Sequence, residues 1–72
     1  MKPEQCRAAR GWLDLSQKEL ADRAGVSLST VRDFEKGRRE PIANNLAAMR
    51  RVMEEAGMTL TPSGLEGPLG ER

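Results

Sequence analysis

The chain has 72 residues, 38% of them hydrophobic, with Trp12 and Phe34 as its only aromatics and a formal charge of +1. That length makes one small domain, which buries only about 60% of its unfolded surface and gains from oligomerising. A lone Cys6 and the absence of histidine give no disulfide framework, no metal-ligand set and no catalytic histidine, so neither metal nor cofactor is expected. No apolar run approaches a membrane span and the N-terminus has no secretory pattern, so the expected location is cytoplasmic, at the nucleoid.

The charge is unevenly spread. Residues 1–51 hold 11 Lys/Arg against 7 Asp/Glu, a balance of +4, whereas residues 52–72 hold 1 against 4, a balance of −3. A basic front and an acidic end suit a face for nucleic acid backed by an end kept off it.

In chain order, Pro3 fits a helical first turn, and Cys6, Ala9 and Leu13 step along one face. A first helix over Pro3–Leu13 follows, although Gly11 weakens it by roughly 1 kcal/mol and offers an earlier end. Asp14 is then a turn residue and Leu15 a plug into the core. Cys6 reads as a small core residue. Trp12 is expected half-buried against the fourth helix or the tail, with a partner contact as the other reading.

The stretch SQKELADRAGVSLSTVRDFEKG, Ser16–Gly37, organises the chain. Ser16 and Glu19 form a capping box that starts a second helix at Gln17. Leu20, Ala21 and Ala24 recur at helical spacing, and Gly25 sits where a helix end needs φ > 0. Val26 plugs the turn. Ser27 caps a third helix with Val31 and Phe34 on one face, and Gly37 ends it. Two short helices joined by a glycine-containing turn are a helix-turn-helix unit.

Pro41, Asn44 and Asn45 are candidate start signals for a fourth helix. Its apolar stripe is Ile42, Leu46, Met49 and Met53, with Val52 and Ala56, and Gly57 ends it. Met58 to Thr61 alternates apolar and polar, as a short strand does. Such a strand must pair, either with the same segment of a second subunit or by folding back on Gly64–Leu69; a frayed tail is the alternative.

The string LSQKELADRAGVSLSTVRDFEKGRREP resembles the Cro/CI (Xre-type) helix-turn-helix domain of phage repressors and many bacterial regulators. The resemblance rests on Ser16-Gln17, Glu19-Leu20-Ala21, Ala24-Gly25-Val26-Ser27, Ser29-Thr30-Val31, Glu35-Lys36-Gly37 and the basic residues before Pro41. More loosely it spans Glu4 to Met58. It implies an all-α fold, a lambda-repressor-like bundle of four to five helices, here with a short C-terminal β segment. The expected division is 1–57 for the DNA-binding domain and 58–72 for a tail, a short dimerisation strand and then flexible chain. It further implies an ion pair between Arg10 and Glu35, for which two solvated charges are the plainer alternative.

Such a motif places one helix in the major groove, where its exposed N-terminal side chains meet base edges. Those are Leu28, Ser29, Arg32 and Asp33. Arg32 can donate twice to guanine, Asp33 can accept from cytosine N4 or orient Arg32, and Ser29 discriminates little. Leu28 can meet a thymine methyl or simply pack on the turn. Phosphate contacts are expected from Gln17, by resemblance, and from Thr30, Lys36, Arg38 and Arg39. Lys18 and Arg23 are less specific and suit a solvated face.

The function expected is a sequence-specific DNA-binding regulator, most simply a repressor, that binds a double-stranded palindromic operator as a homodimer. The alternative is a helix-turn-helix module whose main partner is another protein, such as an antiactivator or antitoxin. Asp33, an exposed Leu28 beside it and the small net charge favour that alternative; Gln17, Lys36, Arg38 and Arg39 oppose it. The serines act as caps and no nucleophile–base pair is present, so no enzyme is expected.

Overall fold

A computed structural model describes residues 1–67. Four helices, α1 (Pro3–Leu13), α2 (Gln17–Ala24), α3 (Leu28–Glu35) and α4 (Ala43–Glu55), are followed by two short strands, β1 (Thr59–Thr61) and β2 (Gly64–Glu66). The fold is an all-α bundle with a C-terminal β hairpin.

Local chemistry explains the helix boundaries. The Ser16 hydroxyl accepts from the Glu19 amide at 3.0 Å, and the Glu19 carboxylate accepts from the Ser16 amide at 2.8 Å, so the capping box is complete. Ser27 caps α3 by accepting from the Thr30 amide at 3.1 Å. All four helices end through one left-handed residue that returns amides to the last turn: Asp14 after α1, Gly25 after α2, Gly37 after α3 and Gly57 after α4. After α2, for example, Gly25 N donates to Asp22 O and Val26 N to Ala21 O. Asp14, at φ 59°, is the one non-glycine among the four, in a conformation that a short polar side chain tolerates.

The start of α4 departs from the sequence expectation. Neither asparagine caps it. Ile42 holds the N-cap position, makes no side-chain cap bond and is 68% exposed. Ile42 fits the period of the α4 stripe, but the helix begins one residue after it, so its side chain leaves the core face.

The core is a single cluster built by Cys6 and Ala9 of α1, Leu20 and Ala21 of α2, Val31 and Phe34 of α3, Met49 and Met53 of α4, and Met58 and Leu60 beyond it. Leu13, Ala24, Val26, Leu46, Val52 and Leu65 pack around it. The methionines fill the space between helices, as flexible side chains do.

The strands pair with each other, antiparallel, with Leu60 opposite Leu65 and a two-residue turn at Pro62-Ser63. Of the two pairings expected for the 58–61 segment, the chain thus adopts the fold-back one. Gln5 fastens the hairpin to α1: its buried amide nitrogen donates to the carbonyls of Gly64, at 2.7 Å, and Thr61. Its amide oxygen accepts from Lys2 N at 2.8 Å. Arg50 of α4 donates to Leu60 O at 3.2 Å on the other side. Trp12 remains 39% exposed and lies on Gly67, where a side chain would collide with the indole ring, so the tail covers it rather than α4. The expected flexible end, and Leu69 of the expected pairing segment, lie outside the described residues.

Candidate nucleic-acid interface

Helix α3 is anchored at its end and bare at its beginning. Glu35, its last residue, is 3% exposed. Its carboxylate accepts Arg10 Nε at 2.7 Å through Oε2 and an Arg10 terminal nitrogen at 2.8 Å through Oε1, a bidentate fork of the strong, orienting kind. The Gln17 amide donates to Oε1 at 3.0 Å, and the Cys6 thiol approaches Oε2 at 3.1 Å. Arg7 donates to the Glu35 backbone carbonyl, and Arg10 also donates to Leu15 O at 2.9 Å. Four side chains from α1 and α2 therefore converge on one residue of α3. The Arg10–Glu35 pair expected from the resemblance is present, and partly buried.

The electrostatics follow. Burial pushes the Glu35 carboxyl upward, but hydrogen bonds from Arg10, Cys6 and Gln17 outweigh it and hold the pKa below the ordinary 4.5. Burial, reinforced by the Glu35 carboxylate, drives the Cys6 thiol far up, so Cys6 stays protonated and inert. On α2, the exposed Glu19 carboxyl is lowered by its hydrogen bonds at Ser16.

On the outward face of α3, the side chains expected to meet bases are accessible. Ser29 and Arg32 are exposed, and Leu28 and Asp33 are half-buried. Among the described residues, Arg32 and Asp33 make no side-chain hydrogen bond or ion pair, while Ser29 touches Ser27 Oγ at 3.2 Å. Val31 and Phe34 point into the core, which turns these residues outward. The expected phosphate contacts fall into two groups. Lys36, Arg38 and Arg39 are exposed beyond the end of α3, with no ion pair among the described residues. Gln17 and Thr30 are half-buried and already bonded, Gln17 to Glu35 and Thr30 Oγ1 to Ser27 Oγ at 2.8 Å. Lys18 pairs with Asp22 at 2.9 Å on the solvated face of α2.

Sequence reasoning passed over one feature. A cleft of about 220 Å³ separates α3 from the start of α4, with Ser29, Thr30 and Asp33 on one wall and Arg39, Glu40, Pro41, Ile42 and Asn45 on the other. Nothing local signals it, because it depends on how α4 is set against α3 and on Ile42 leaving the core.

No group of three or more potential metal ligands occurs among the described residues. No helix there is long and apolar enough to cross a membrane. A search of curated proteins returns no match. The helix-turn-helix family model, by contrast, matches residues 7–56, from Arg7 of the anchor through the turn and α3 to the end of α4. This chain belongs to the helix-turn-helix family, of the Xre (Cro/CI) type, and carries its DNA-binding domain.

Proposed function

We propose that the protein is a sequence-specific transcriptional regulator, most simply a repressor, that sets α3 in the major groove of a palindromic operator as a homodimer. The observation that carries this reading is the contrast between two faces of α3: a clamped, buried Glu35 on the inner one and accessible, unpartnered Arg32 and Asp33 on the outward one. A helix used to read base edges needs a fixed orientation and free donors and acceptors. Leu28, Ser29, Arg32 and Asp33 face the bases in this reading. Lys36, Arg38 and Arg39 grip the flanking backbone, and Gln17 and Thr30 meet phosphates at the starts of α2 and α3. Residues 1–57 carry these contacts and 58–72 form the tail. The protein acts in the cytoplasm, on the nucleoid.

One domain reads only a few base pairs. A two-fold dimer, with half-sites about 34–36 Å apart, brings affinity into a useful range. The surfaces proposed for that dimer are α4 and the 58–61 segment of the hairpin.

Selection of random duplexes by the purified protein at about physiological salt tests the reading. Enrichment of a two-fold motif with half-sites one helical turn apart supports it. With about four phosphates neutralised per subunit, log K should fall by roughly 3–4 per subunit for each unit of log salt. No enrichment, with binding lost at modest salt, favours the protein-partner alternative, to which Asp33 on the outward face of α3 lends support.

A further inference from the structure

The geometry points to Ile42 as a specificity-determining residue that, across the cleft from Ser29 and Asp33, reads the 5-methyl group of one thymine in each half-site. The inference rests on the DNA-binding reading above.

Ile42 is the most exposed large hydrophobic residue among those described, at 68%. An isolated exposed aliphatic residue needs no explanation by itself. Its surroundings supply one here. It lines the same cleft as Ser29, Thr30 and Asp33, so it borders the outward face of α3 rather than the far side of the bundle. Arg39 lies in that cleft beside Glu40, and Arg38 is exposed next to it in sequence, so the rim carries the basic residues that grip the backbone in the reading above. Ile42 also occupies an N-cap position where Ser, Thr, Asp or Asn would stabilise α4, and it makes no cap bond there. Core packing does not account for the residue, because the buried face of α4 is made by Met49 and Met53 with Leu46 beside them.

The chemistry of the groove selects the occupant. Each base pair presents donors and acceptors along its major-groove edge, and thymine alone adds an apolar methyl. Polar Ser29 and Asp33 cannot sense that methyl by desolvating it; a branched aliphatic side chain on the facing wall can.

The test replaces each thymine of the selected half-site by deoxyuridine, which removes the methyl and nothing else. The wild-type protein should lose about four-fold in affinity at one thymine per half-site, the worth of one buried methyl group. Ile42→Ala should bind the thymine and uracil duplexes equally at that position, and Ile42→Val should keep most of the difference. Because the side chain is exposed, both variants should melt with the wild type, which a thermal scan checks. Uracil without effect at every half-site thymine overturns the inference. So does a uracil effect that persists unchanged in Ile42→Ala, which would assign the methyl to Leu28, and so does a selected half-site without thymine. A wild-type protein that enriches no motif fails differently: it removes the DNA-binding reading itself.

Discussion

The Glu35 end of α3 and the outward face of the same helix are built by opposite rules. At Glu35 every polar atom is engaged, by Arg10, Gln17, Cys6 and Arg7, and solvent is nearly excluded. From Leu28 to Asp33 the apolar positions turn inward and the polar ones are left open, with Ser27 capping the backbone. A helix held only by Val31 and Phe34 could roll about its own axis by small amounts, because apolar contact is not directional. The bidentate fork fixes the roll. The division of labour is therefore between orientation, supplied by buried polar bonds at Glu35, and recognition, left to open groups on the outward face.

The largest effect should come from breaking the fixed end. Glu35→Ala leaves the Arg10 guanidinium and the Gln17 amide without their carboxylate acceptor in a partly buried site and should cost about 3–5 kcal/mol. A domain of this size holds about 5–15 kcal/mol in total, so urea denaturation should show a strongly lowered midpoint or loss of the fold. Breaking the free end should behave differently. Arg32→Ala should leave the denaturation midpoint unchanged and lose about 1–3 kcal/mol of discrimination between operator and scrambled duplex, measured by anisotropy at fixed salt.

Acid should act on the fixed end and not on Arg32. The folded pKa of Glu35 lies below its ordinary value, so its contribution is present above the unfolded pKa and is lost as pH falls through the folded one. Stability should be flat from neutral down to about pH 5 and decline below it, and a variant lacking the Glu35 carboxylate should flatten that decline. The exposed Glu19 shifts in the same sense, so a Glu19→Gln control separates the two. The smallest effect should come from the cap. Ser27→Ala should cost about 1 kcal/mol and increase amide exchange in the first turn of α3 while leaving the Glu35 region protected.

The sequence made the bound end of this comparison only partly legible. The Ser16–Glu19 box, the Gly25 turn and the Val31/Phe34 face are local patterns, and each does in the structure what its spacing implies. The Arg10–Glu35 pair was visible only through the family resemblance, since nothing local links residues 25 apart. Gln17 shows the limit of that route: its expected phosphate role says nothing of the bond it makes to Glu35. Gln5 had no local signal at all, because its acceptors on the hairpin lie 56 and 59 residues away. Ile42 misled because periodicity reports the spacing of apolar residues and not where a helix begins. Met58 and Leu60 belong to the common core, so cutting the chain at 57 should destabilise the bundle as well as alter any dimer.

The most direct measurement is amide chemical-shift mapping of the labelled protein titrated with its selected duplex. The account predicts the largest changes at Leu28, Ser29, Arg32 and Asp33, then at Lys36, Arg38 and Arg39, with Glu35 little moved because its partners already hold it. Changes centred on the hairpin or on the start of α1, with α3 silent, would contradict it.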